Sequence, residues 1–293
     1  MKNVVVKSGI VIGSMLALSA CSSAPTTPTT PTGPSYQTFA QAIANSTGTT
    51  PTPLGGSAIR SNGTTGALDI TNSTGEIDHT NGNVSVNDGT KTLTAPNAYA
   101  AVNILTDGTA TITATNSVIS TSSYDYVISI NEQYTTGSGT SAVSYDSSGF
   151  LGLVTATADI PSAGTATYTG ASDATITTAG STQRLTGGTS TLTADFSAGT
   201  ATLTMTGFTT STPALLDTIT ATGMGISGNT LSGGTLETLL NTAPVNLTGT
   251  NTVSGASANF FGYDATNSIP DEVAGVILLD GDSGIISGAF VAD

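Results

Sequence analysis

The chain has one cysteine, one histidine, no tryptophan and only five basic residues among 293. Each scarcity removes a class of chemistry. A lone thiol, Cys21, leaves no internal disulfide and no cluster of soft metal ligands. Beyond Lys2 and Lys7 only Arg60, Lys91 and Arg184 are basic, against nineteen acidic side chains and a formal net charge of −14 for the whole chain. Phosphate neutralisation needs clustered Lys and Arg, so nucleic acid is excluded as a partner. The same deficit removes electrostatic docking on an anionic leaflet. Seven Phe and eight Tyr without Trp are too few for the interfacial girdles of a membrane-spanning β-barrel. After the first twenty residues no apolar run reaches the roughly 18 residues of a spanning helix.

What is present at the N-terminus is an address. Lys2 and Lys7 precede an apolar run from Ser8 to Ala20, the layout of a secretory signal. It ends in Leu18-Ser19-Ala20-Cys21, the pattern of a bacterial lipobox, so residues 1–20 are expected to be a cleaved lipoprotein signal peptide. Cys21 is the expected lipid-attachment site, its thiol carrying a fatty acyl group such as palmitate. Ser22 follows in place of an Asp that would retain the protein at the inner membrane, and delivery to the outer membrane is the expectation. Two or more acyl chains suffice for stable anchoring.

Residues 21–34 are rich in Thr, Pro and Ser. That composition buries nothing and stays extended, so it reads as a stalk. Tyr36, Phe39 and Ile43 then fall at helical spacing after Pro34-Ser35, predicting an amphipathic helix of about three turns that packs on a sheet. From Gly55 onward short strands are punctuated by Gly, Asn and Asp. Leu68 and Ile70, then Val84 and Val86, alternate with polar residues, and Asn81-Gly82 and Asp88-Gly89 are hairpin signals. Longer strands are expected at Tyr124–Ile130 and Phe150–Ala156. Gly-Thr-Ala-Thr recurs at Gly108–Thr111, Gly164–Thr167 and Gly199–Thr202, with spacing too irregular for a solenoid. It reads as one local solution used three times, a Gly turn opening a strand with Thr outward.

At Asp159–Gly170 (DIPSAGTATYTG) the chain resembles the opening barrel strand of transferrin-binding protein B-like surface lipoproteins. Leu192–Phe208 is similar to that family's hydrophobic-Asp-Phe hairpin, and Gly223–Gly233 to the hairpin after it. SGASANFFGYDA with DEVAGVILL is similar to the family's Gly-x-Phe-aromatic-Gly and Glu-x-x-Gly segments, and Gly284–Asp293 to its last strand. The match runs from about Pro161 to the C-terminus. Ala265–Pro270 is extra sequence, and one barrel stands here where the family's namesake has two lobes.

The resemblance implies an all-β protein: residues 35–158 forming a helix plus a β-rich handle domain, and 159–293 an eight-stranded antiparallel barrel. A barrel of that size is filled by its own side chains or admits one small ligand, so protein partners would engage its loops and rims. It further implies an outer-membrane, surface-exposed lipoprotein that binds a protein or an iron- or haem-related ligand without catalysis. The cargo would pass to a TonB-dependent outer-membrane transporter. The alternatives are an adhesin or surface-coat protein on the same scaffold, and a small-ligand carrier.

The candidate sites give little chemistry. His79 lies in GEIDHTNG, at an expected hairpin tip, and neither a nucleophile elbow nor triad spacing accompanies it. As a haem ligand it lacks cations for the propionates. Asp280-Gly281-Asp282-Ser283-Gly284 begins like a calcium loop but lacks its distal bidentate Glu, and reads as a turn. No enzyme activity, metal or cofactor is expected, and the ligand-binding residues stay open. Phe260, Phe261 and Tyr263 are the one aromatic cluster, read as packing at the barrel's closing strand.

Overall fold

Alternation of apolar with hydroxyl-bearing residues carries most strands of this protein, and two antiparallel sheets result. The computed structural model describes residues 36–44, 50–62, 68–80, 83–87, 92–95, 102–106, 110–115, 124–136, 143–178, 181–209, 218–240, 243–244, 253–281 and 284–293. Residues 1–35, with Cys21 and the Thr/Pro-rich stalk, lie outside them. Among the described residues no helix is long and apolar enough to cross a membrane.

The first sheet, the handle, comprises β1 (Thr52–Asn62), β2 (Leu68–Asp78), β3 (Asn83–Asn87), β4 (Thr92–Ala95), β5 (Val102–Thr106), β6 (Ala110–Thr115), β7 (Val127–Thr136) and β8 (Val143–Gly152). Its spatial order is β4-β3-β2-β1-β8-β7-β6-β5. Two four-stranded meanders therefore join where β1 meets β8, in register from Gly55↔Gly152 to Asn62↔Tyr145. The strands on either side of both expected turns pair, Asp78 with Asn83 and Asn87 with Thr92; Asn81-Gly82 and Asp88-Gly89 themselves lie outside the described residues.

The helix α1 (Phe39–Ala44) is six residues long, not three turns. A capping box fixes its start: the Gln41 N–H donates to Thr38 Oγ1 at 3.2 Å and the Thr38 N–H to Gln41 Oε1 at 3.0 Å. Thr-x-x-Gln is a readable signal for this geometry, and it places Tyr36 before the helix. Phe39 and Ala42 are buried in the handle core.

The second sheet closes on itself. Its strands are β9 (Thr165–Thr178), β10 (Ser181–Asp195), β11 (Thr200–Thr206), β12 (Thr218–Ser227), β13 (Thr230–Gly233), β14 (Thr235–Leu240), β15 (Ala243–Pro244), β16 (Val253–Phe261), β17 (Glu272–Gly281) and β18 (Gly284–Ala292). The circuit runs β11-β10-β9-β18-β17-β16-β13-β12 and returns to β11, an eight-stranded antiparallel barrel. β14 continues β13 past Gly234 along the same neighbour, β12, and β15 pairs with its end.

Side-chain alternation sorts the barrel into a filled interior and a hydroxyl-covered exterior. Tyr168, Leu192, Leu203, Met205, Met224, Phe260 and Phe290 belong to one buried inner core. The outward residues of β9 to β12 fall into rows: Thr167 pairs with Thr193, Thr193 with Thr202, and Thr202 with Thr222; Thr169, Thr191, Thr204 and Thr220 repeat the pattern. Thr is favoured on a pleated, half-solvated surface, and cross-strand Thr pairs add to the ladder. Two of the three Gly-Thr-Ala-Thr segments are described at their glycines. Gly164 (φ +92°) and Gly199 (φ +66°) make the left-handed turns that open β9 and β11, as glycine permits.

Candidate functional site

Handle and barrel belong to one compact unit, residues 33–293, and a second hydrophobic core joins them. Phe261, Ala274 and Val291, outward on the barrel, pack with Tyr126, Phe150, Leu151 and Leu153 of the handle side. Polar bonds flank this core. Ser57 Oγ donates to Asn259 Oδ1 at 2.9 Å and lies 2.9 Å from Ser257 Oγ. Tyr124 OH donates to the Val291 carbonyl at 3.2 Å, and Thr155 Oγ1 to the Gly262 carbonyl at 2.7 Å.

A further contact is made by Glu272, the first residue of β17 and only 2% exposed. Its carboxylate accepts the backbone N–H groups of Asp125 and Tyr126, the latter at 3.0 Å. Burial pushes its pKa up to about 7, against those two N–H donors and with the help of the Asp271 and Asp125 charges.

Farther along β1 and β8 the two bodies part and leave a groove of about 450 Å³. Ile59, Ser129, Ser148 and Phe150 line its handle wall; Asp173, Thr175, Arg184, Val276, Ser287 and Ala289 line its barrel wall. The volume is that of a small-molecule or side-chain pocket. An ion pair in it runs from Arg184 Nη2 to Asp173 Oδ2 at 3.5 Å, with the Arg184 side chain 58% exposed. The Gly187 N–H holds the other Asp173 oxygen at 3.1 Å. Burial raises the Asp173 pKa, with Gly187 and Arg184 opposing it. The groove thus offers an exposed guanidinium and a row of hydroxyls above an apolar floor. It can hold a polar or anionic group by hydrogen bonds, and nothing in it is arranged to activate a nucleophile.

The residues singled out in the sequence do not converge on this groove. His79 lies in the β2–β3 connection, with Nε2 2.6 Å from Thr52 Oγ1 and Nδ1 enclosed without a hydrogen-bond partner among the described residues. Gly281 pairs with Gly284, so Asp280-Gly281 ends β17 at its connection to β18; Asp282 and Ser283 lie outside the described residues. Among the described residues no group of three His, Cys, Asp or Glu is placed to hold a metal ion. Phe260 and Phe261 are fully buried, and Tyr263 stacks on Tyr36 with ring centroids 6.0 Å apart. Sequence reasoning missed the groove, the place of Arg184 in it, and the contact that Glu272 of the Glu-x-x-Gly segment makes with the handle. All three depend on β1, β8, β9 and β17 meeting in space, and no local pattern announces that.

No family model matches the chain, and no curated protein does. Solved structures do resemble it. A mutant of transferrin-binding protein B from Haemophilus parasuis Hp5 aligns at 17% identity over 80% of this chain and 44% of its own, with a TM-score of 0.45. The isotype 1 transferrin-binding protein B of serogroup B Neisseria meningitidis aligns at 20% identity over 80% of this chain and 42% of its own, TM-score 0.45. A surface lipoprotein aligns at 15% identity over 83% of this chain and 98% of its own, TM-score 0.33. The chain therefore spans less than half the length of the two transferrin-binding protein B structures.

Proposed function

We propose that this chain is an outer-membrane, surface-exposed lipoprotein that captures a protein or an iron- or haem-related ligand without catalysis. In this reading residues 1–20 are the signal peptide and Cys21 the lipid attachment. Residues 21–34 are the stalk, 35–158 the handle with its helix, and 159–293 the barrel. One observation carries the proposal: the barrel is packed through its centre by its own side chains, so a partner must be met on the outside, where the groove with Arg184 lies. The filled interior speaks against a small-ligand carrier with its cargo in the lumen. The threonine rows of β9 to β12 suit a water-facing wall and not a lipid-facing one.

The mechanism is affinity capture. Anchor and stalk hold the binding body beside an outer-membrane TonB-dependent transporter and raise the local concentration of cargo there.

The test is a pull-down with the lipidated protein from iron-replete fluid, with an absorbance scan of what is retained. Recovery of an iron or haem protein, weakened by Arg184→Glu, supports capture at the groove. Retention that Arg184→Glu leaves unchanged moves the site to the barrel rims. Retention of cells or matrix without chromophore identifies an adhesin or surface-coat protein, and the iron reading then falls.

A further inference from the structure

Glu272 is an expensive residue in an unusual place. It is 2% exposed, it sits on the barrel, and both of its acceptor bonds go to the backbone of the handle, at Asp125 and Tyr126. A buried carboxylate is normally matched by a cation. Here the charged groups acting on it are the Asp271 and Asp125 carboxylates. From the handle it also faces Tyr124 and Tyr126, whose hydroxyls its charge disfavours ionising. Asp271 beside it is in turn acted on by Asp264 of the β16–β17 loop, by Asp125 and by Asp293 past the end of β18. Across β16 its partner is the apolar Phe261.

We propose that Glu272 is a pH-sensitive latch that holds the handle against the barrel in mild acid and loosens as its carboxylate ionises. This goes beyond the ligand-binding reading and does not depend on it. The sign follows from linkage. Undocked and solvated, the side chain ionises in the ordinary carboxylate range; docked, burial holds the proton until about pH 7. Docking therefore takes up a proton between those values, and its equilibrium constant falls as pH rises through that window. Two backbone N–H donors soften the effect by favouring the charged form, yet desolvation outweighs them. The groove opens farther along the same strand, at Val276, so loosening the latch spreads its walls.

The sole cysteine is Cys21, so spin labels can be placed site-specifically in the full lipidated protein. Ser148→Cys on the handle wall and Thr175→Cys on the barrel wall, in a Cys21 acylated background, report the groove width by pulsed distance measurement. The expected result is one narrow distance at pH 5 that broadens and lengthens as pH rises and levels off above about pH 7. Docking should weaken by about a hundredfold over the window, and in Glu272→Gln the response should vanish. Backbone hydrogen exchange at Asp125 and Tyr126, corrected for intrinsic rates, should accelerate over the same window. A wild-type distance unchanged from pH 5 to pH 8 overturns the latch, as does a response that Glu272→Gln retains. Should Glu272→Gln fail to fold, the wild-type profile decides alone: exchange at Asp125 and Tyr126 that keeps accelerating up to about pH 7 supports the latch, and a profile already flat from pH 5 refutes it.

Discussion

Phe260 and Phe261 are neighbours in the chain and lie in different cores. Phe260 points into the barrel, with ring centroids 5.9 Å from Tyr168 and 5.8 Å from Phe196. Phe261 points out and fills the joint with the handle. Both are fully buried, and β16 alternates between them as any strand must. A two-residue stretch thus ties the stability of the barrel to the docking of the handle.

Phe260→Ala and Phe261→Ala should each cost about 3–5 kcal/mol, as for other buried aromatic truncations. Their signatures should differ. The first lowers the urea midpoint and speeds hydrogen exchange throughout the barrel. The second speeds exchange in Tyr124–Ile130 while β9 to β12 stay protected. Identical exchange patterns would contradict two separate cores.

Tyr36 pins the entry of the chain to the segment between the sheets. Its hydroxyl donates to Asp159 Oδ2 at 2.6 Å and accepts the Ala156 N–H at 2.7 Å; burial first, then Asp159, pushes its pKa up to about 12. Tyr36→Phe hands both partners to water and should cost about 1 kcal/mol. Limited proteolysis should then cut before Phe39 faster than in wild type, with the barrel intact. An unchanged cleavage rate would show the bond to be idle.

Two glycines with similar backbone give a controlled comparison. Gly199 (φ +66°) has nothing within 4 Å of an added Cβ, whereas at Gly262 (φ +59°) that atom would lie 2.3 Å from the Tyr126 ring. Gly199→Ala should cost about 1 kcal/mol for the left-handed conformation alone. Gly262→Ala adds a clash at the joint and should cost about 3 kcal/mol or more. Equal losses in thermal unfolding would mean that Tyr126 moves aside freely.

Stability should fall as pH rises from about 4 to about 7. Asp173, Asp271 and Glu272 all hold their protons more tightly when folded, burial being the first cause in each. The unfolded chain has released those protons by about pH 5, so the native state binds more of them and loses stability across the window. Asp264 acts oppositely at lower pH: slight desolvation is outweighed by the N–H groups of Thr266 and Asn267, and its pKa is lowered. Urea midpoints at pH 4, 5.5, 7 and 8 check the sign. A midpoint that climbs from pH 4 to pH 7 would refute it, and Glu272→Gln should flatten the slope.

Much of the barrel was legible because its information is local. Leu192 and Ala194 facing Ala201 and Leu203 across Gly199 is a hairpin readable from alternation and one turn residue, and the register confirms it. The helix is shorter than the apolar spacing from Tyr36 implies, because the Thr38–Gln41 cap starts it after Tyr36. Tyr36 is apolar in pattern but serves Asp159, 123 residues away. Phe260 and Phe261 could be assigned to packing; that they serve two cores could not.

By itself the sequence determined strand propensity, hairpin positions, the threonine-outward alternation and the acidic, cation-poor surface, because these follow from neighbours within a few residues. Only the tertiary structure decided that β1 pairs with β8, that β18 returns to β9 to close the barrel, and that Glu272 reaches the handle backbone. Those contacts join residues far apart in the chain, and what selects them is the burial of two apolar surfaces against each other. The groove at Arg184 is where that burial stops, and so it has no signature in the sequence.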